Sequence, residues 1–129
     1  MILYLASDLL WATRIKEAAK DLGLNARPVR NVGMLEDRLN ESRQPDAEPV
    51  AALILDLEAP EPARELLGRL RGPGATDPDR RVRILAFSPH VHRDLMQSFR
   101  DDGADEVLTR GAFDHNLADI LLALEARAS

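Results

Sequence analysis

Asp56 stands directly behind the apolar run Val50-Ala51-Ala52-Leu53-Ile54-Leu55, so a carboxylate is held at the end of a segment that reads as a buried strand. Two readings suit such a group: a functional carboxylate at a strand end, or a cap for the turn or helix that follows. Position alone leaves both open. Ser88 closes a second apolar run, and Arg110 follows a third, Glu106-Val107-Leu108-Thr109. After the first run come Ala6, Ser7 and Asp8, of which Ser7 or Asp8 can cap a helix. His90 and His92, just past Ser88, could join Asp56 in holding a metal such as zinc. On an exposed helix start, residues one or two apart point to different sides, and the spacing favours that plainer reading. His115 suggests nothing specific. No histidine lies near a plausible nucleophile in sequence, which argues against an enzyme.

These residues must be positioned by the elements around them. Ile2 to Ala6 reads as a buried strand, and Leu9 to Leu22 as a helix with Trp11, Ile15, Ala18, Ala19 and Leu22 at helical spacing, ended by Gly23. Asn25 to Arg30 is a weaker strand and Val32 to Ser42 a short helix. Val50 to Asp56 is the clearest strand. Pro60 and Pro62 open the next helix, through Leu66, Leu67 and Leu70, and Gly72 to Asp79 reads as a loop. Val82 to Phe87 is a strand, about Val91 to Asp102 a helix stopped by Gly103, and Glu106 to Thr109 the last strand. Leu117, Ile120, Leu121 and Leu124 define the final helix. Strand and helix alternate five times with short connections. That order predicts a parallel sheet covered by helices on both faces, with functional residues beyond the carboxyl ends of the strands. Trp11, the only tryptophan, is expected to pack a helix onto the sheet, with a partly exposed partner-binding role left open.

Composition narrows the class. A chain of 129 residues, 45% of them hydrophobic, fits one domain with one core. Against 22 acidic residues there are 17 basic ones, a net charge of −5, which argues against a general nucleic-acid binder. Arg80, Arg81 and Arg83 cluster, but Asp77 and Asp79 beside them suggest a solvated loop. No cysteine is present, which excludes disulfides and thiolate chemistry. No stretch is long enough to span a bilayer, and Met1-Ile2-Leu3-Tyr4-Leu5 lacks the marks of a signal peptide, so a cytoplasmic location is the default expectation. A nucleotide or flavin protein of similar topology would need a glycine- or hydroxyl-rich loop after the first strand, and Ala6-Ser7-Asp8-Leu9-Leu10-Trp11 is not one.

Taken together in order, three segments resemble the receiver domains of response regulators. Asp56-Leu57-Glu58-Ala59-Pro60 is similar to the D-x-x-x-P segment after the third strand of that family. Ile84-Leu85-Ala86-Phe87-Ser88 resembles its fourth strand, which ends in Thr or Ser, and Gly103 to Arg110 resembles its G-A-x-x-Y-L-x-K. The resemblance covers essentially the whole chain. It implies a flavodoxin-like (βα)5 sandwich, with a five-stranded parallel sheet of order 2-1-3-4-5 and five helices. It also implies a phosphoacceptor role for Asp56, a phosphate-binding hydroxyl at Ser88 and a positive charge at Arg110. In that family two acids after the first strand help hold a Mg²⁺ ion, which screens the repulsion between carboxylate and phosphoryl group.

The sequence keeps only part of that set. The acidic-pair positions fall on Ala6 and Ser7, neither able to ligate Mg²⁺ as a carboxylate; Asp8 could substitute after a local shift, although a helix cap is its more natural role. Arg110 replaces the family's Lys, and Gly111 the Pro after it. Pro89 follows Ser88 where receivers place a small residue whose N–H faces the phosphoryl group, and proline has none. Val107 occupies the position of the switch aromatic and has no ring to swing. An intact receiver pocket sums to a net of about −2, whereas Asp56 and Arg110 cancel and Asp8 adds only one negative charge. Mg²⁺, if held at all by Asp8, Asp56 and the Glu58 backbone, should bind weakly, and Asp56 is expected to pair directly with Arg110 and lock the site.

The resulting expectation is a single-domain, non-enzymatic signalling protein without an output module. It would act through protein contact, with phosphorylation of Asp56 weak or absent and no cofactor. The resemblance leaves open a phosphorylatable regulator in a histidine-kinase phosphorelay; a small-ligand, nucleotide or metal-binding protein fits less well. The family's usual interaction face here runs over Val91–Asp102, Glu106–Thr109 and Phe113–Arg127. Its charges are of both signs: Arg93, Asp94, Arg100, Asp101, Asp102, Asp105, Glu106 and Asp119. They could pair across a two-fold axis in a weak homodimer, or meet another signalling protein such as a histidine kinase. A solvated exterior explains them equally well.

Overall fold

The computed structural model describes residues 1–89 and 92–126. Its element order is β1 (Ile2–Leu5), α1 (Leu9–Asp21), β2 (Ala26–Pro28), α2 (Val32–Ser42), β3 (Ala52–Asp56), α3 (Pro60–Arg71), α4 (Asp77–Arg81), β4 (Arg83–Ser88), α5 (Arg93–Asp101), β5 (Glu106–Thr109), α6 (Arg110–His115) and α7 (Leu117–Ala126). All strand pairs are parallel, in the order β2-β1-β3-β4-β5. This is the expected flavodoxin-like sandwich.

Alternation along each buried strand splits the core into two layers. Leu3, Leu5, Leu53 and Leu55 join Leu35 and Leu39 of α2, Leu66 and Leu70 of α3, and Met96 and Phe99 of α5. Ile2, Tyr4, Ile54, Leu85 and Phe87 turn the other way, onto Trp11 and Ile15 of α1, Phe113 of α6 and Leu121 of α7. Trp11 is therefore a core residue. Gly23 (φ +72°) ends α1 in the left-handed region. At Gly103 (φ +118°) a Cβ would lie 2.8 Å from Arg71 Cγ, so glycine is required twice over.

The helix count differs from the sequence expectation, with seven helices among the described residues instead of five. The segment read as a loop from Gly72 to Asp79 closes in the short α4, whose Thr76 and Asp79 form a reciprocal capping box. The final helix is preceded by α6, which Thr109 caps by accepting from the Ala112 N–H at 3.3 Å. Asp79 is not part of a solvated loop. It is 2% exposed and accepts from Arg69 Nη1 at 2.7 Å, and Arg69 also holds Glu36 of α2.

Candidate functional site

Parallel pairing brings four strand ends together. Leu5 is opposite Leu55, Asp56 opposite Phe87, and Ser88 opposite Thr109. The register therefore sets Ser7 beside Asp56, with Ser88 and Arg110 following on the next two strands. Asp56 is 1% exposed and Ser88 fully buried.

Three donors converge on the Asp56 carboxylate. Ser7 gives two to Oδ2, its hydroxyl at 2.6 Å and its backbone N–H at 2.9 Å. The Glu58 N–H donates to Oδ1 at 3.0 Å. Such bonds to an ionised acceptor are among the stronger ones, and they hold both oxygens of a nearly buried group. Ser7 is thus a two-fold donor to the carboxylate beside it.

Arg110 does something other than expected. No ion pair joins it to Asp56 among the described residues. It lies over the ring of Trp11, 5.8 Å from the centroid, with Arg14 at 5.6 Å. Trp11 packs against Phe87 (centroids 5.3 Å apart) and Phe113 (6.0 Å), which themselves stack at 4.3 Å. Arg14 also bridges to Asp114 on α6. Sequence reasoning missed this aromatic group. Its members are far apart along the chain, and only the sheet order brings Phe87 under Trp11.

Asp8 caps α1, accepting from the Trp11 N–H at 2.9 Å, as its position after β1 suggested. Asp8 Oδ1 is thereby engaged at the helix cap. Ala6 contributes no ligand, Ser7 is turned to Asp56, and the Glu58 amide is likewise directed at Asp56. Among the described residues no three His, Asp or Glu side chains are grouped to hold a metal ion. The residues present do not fit a receiver-type Mg²⁺ site: one carboxylate remains, already bonded to three donors. His92 is exposed at the start of α5, and His90 lies outside the described residues, so their joint placement does too. Pro89 is half-buried beyond Ser88. Val107 is buried in the layer containing Phe99, and its carbonyl accepts from Arg100 Nη2 at 3.1 Å.

On the expected interaction face, Asp102 and Asp105 are ion-paired within the chain, and Asp101 accepts from Gln97 Nε2 at 2.8 Å. Asp102 pairs with Arg64 of α3 at 2.7 Å, and Asp105 accepts from Arg71 at 3.1 Å and from the Ile84 N–H at 2.8 Å. Val91 and Arg127, at the edges of that face, lie outside the described residues.

No protein-family model matches the sequence, and no curated protein sequence does. Solved structures do match in fold. The receiver domain of a response regulator from Bermanella marisrubri superposes with a TM-score of 0.71 at 22% identity, over 95% of each chain. The beryllofluoride-activated NtrC4 receiver domain dimer gives 0.67 at 16%, over 98% of this chain and 97% of that one. A response regulator from Burkholderia pseudomallei, determined with a phosphorylated aspartic acid, a calcium ion and citrate, gives 0.67 at 20%, over 98% of this chain and 67% of that one. The chain thus has the fold of response-regulator receiver domains. No described helix is long and apolar enough to cross a membrane.

Proposed function

We propose that this chain is a receiver-type signalling domain that acts through protein contact, with phosphoryl transfer to Asp56 slow or absent. The observation that carries this reading is the pair of bonds from Ser7 to Asp56 Oδ2. An attacking carboxylate needs free lone pairs and a cation to offset charge repulsion. Here three donors occupy most of the roughly four lone-pair sites of Asp56, the acidic-pair positions are Ala6 and Ser7, and Arg110 rests on Trp11. Pro89 removes one further donor. Signalling without the covalent step must then run through a surface. One candidate is the face formed by α5, β5 and α7, presented to a second copy or to another signalling protein such as a histidine kinase. The NtrC4 receiver domain of the same fold is a dimer, which makes a second copy a reasonable first partner to test.

The test is incubation with acetyl phosphate and Mg²⁺, read by intact mass. The expected outcome is an unmodified chain. A stable gain of one phosphoryl group that Asp56→Ala abolishes would overturn the reading, and would place the chain among phosphorylatable receiver domains.

A further inference from the structure

A groove of about 710 Å³ opens at the strand-start end of the sheet, at the opposite end of β3 from Asp56. Its size falls in the range of small-molecule sites, about 300–1,000 Å³. Leu39, Val50 and Val82 give it an apolar floor, and three arginines, Arg43, Arg81 and Arg83, stand around it. In a chain of net charge −5 this is a local concentration of positive charge.

The three cations are poorly neutralised. Arg81 is exposed and has no ion-pair partner among the described residues. Arg43 comes no nearer than 3.8 Å to Asp79, whose other oxygen is held by Arg69 at 2.7 Å. Among the described residues Asp79 is the only carboxylate lining the groove, and it is 2% exposed. The Arg83 side chain is 27% exposed, and its Nε is buried without a hydrogen-bond partner. The nearest carboxylate oxygen, Asp105 Oδ2 at 3.7 Å, already accepts from Arg71 and from Ile84. Guanidinium groups whose nearest carboxylate oxygens lie 3.7–3.8 Å away favour an added anion, and charge-assisted bonds to one are about twice as strong as neutral ones.

From this we infer that the groove is a binding site for a small amphipathic anion: an apolar body for the Leu39–Val50–Val82 floor, and one carboxylate, sulfonate or phosphate head for the arginines. A domain whose Asp56 is locked would then have a second, non-covalent input at the other end of β3.

The probe is 8-anilinonaphthalene-1-sulfonate, which has this chemistry, titrated against the folded chain by fluorescence and by amide shifts. The expected result is saturable one-site binding, with shifts at Ser42, Ala51 and Val82. Charge reversal in Arg43→Glu/Arg81→Glu should weaken binding by about tenfold or more, and the uncharged N-phenyl-1-naphthylamine should bind the native chain weaker by a similar factor. Leu9→Ser/Leu10→Ser, which removes the exposed leucines at the other end of the sheet, should change nothing. Arg81→Gln supplies the charge test should the double variant fail to fold by circular dichroism. The inference is overturned by absence of saturable binding, by shifts centred on Ser7 to Leu10, or by an affinity indifferent to the arginine changes.

Discussion

At Asp56 the decisive neighbour is a hydroxyl. Ser7 donates to Oδ2 from both side chain and backbone, so Ser7→Ala removes one of three donors from a carboxylate that is 1% exposed. A lost bond to a buried charged group costs about 1–3 kcal/mol, which urea denaturation should register. Ser7→Asp asks the complementary question. It replaces the donor with a second carboxylate, so the folded state should lose stability by charge repulsion. Millimolar Mg²⁺ should restore part of the loss, because a cation that binds only the folded state raises its melting temperature. The native chain should show no such Mg²⁺ response, and a rise in its melting temperature with Mg²⁺ would contradict the misfit described above. The strand-end positions of Asp56 and Ser88 were legible in the sequence, because apolar runs end at them. The partner of Asp56 was not. Arg110 was expected to pair with it, but the ring of Trp11 lies beside that guanidinium, and such a contact depends on a helix placement that spacing does not reveal.

At the scale of single elements, α4 shows what a composition rule overlooks. Gly72 to Asp79 carries the residues of a loop, and five residues with two prolines nearby have no apolar period to betray a helix. What forms α4 is capping. The Thr76 hydroxyl accepts from the Asp79 N–H at 3.3 Å, and the Thr76 N–H donates to Asp79 Oδ2 at 3.0 Å. Thr76→Ala should cost about 1 kcal/mol by chemical denaturation. The same carboxylate sets a pH dependence. Burial pushes the Asp79 carboxyl up, but hydrogen bonds from Thr76 and Arg69 outweigh it and hold it below the usual carboxylate value. A group whose folded pKa lies below its unfolded value of about 3.9 stabilises the fold above that value, and the benefit is lost as pH falls through the folded pKa. Stability should therefore drop on acidification below about pH 4, and Asp79→Asn should flatten that acid limb while lowering stability at neutral pH. Glu36 is held low as well, chiefly by its bond from Arg69, but its partial exposure makes its share smaller. An acid limb of equal steepness in the Asp79→Asn chain would refute this assignment.

Across the whole molecule, the sheet was the most legible feature, since strand candidates alternating with helices predict a parallel sheet and the resemblance to receiver domains implied its order. The surface was the least legible, because a charge pattern does not tell which charges are already paired. Folding takes two from the expected face, since Asp102 faces Arg64 and Asp105 faces Arg71. Arg100 and Asp101 are partly committed as well, to the Val107 carbonyl and the Gln97 amide. The exposed charges of α5, β5 and α7 that make no such bond among the described residues are Arg93, Asp94, Glu106 and Asp119, with Leu122 as an exposed apolar side chain on α7. Opposite charges with no partner among the described residues can satisfy one another across a two-fold axis, where the same patch meets itself. Most such rim pairs are worth about 0–1 kcal/mol, so any dimer must draw its affinity from the apolar contact and its orientation from the charges. Two variants separate these contributions. Leu122→Asp should abolish self-association, whereas Arg93→Glu should weaken it only partly, and more so at low ionic strength, where screening is least. Both should leave the melting temperature nearly unchanged, because neither side chain is buried in the monomer. Sedimentation of the native chain over a concentration series, at two salt concentrations, provides the reference. A monomer at every concentration would rule out the second copy as partner. An association unaffected by either substitution would place the contact elsewhere on the molecule.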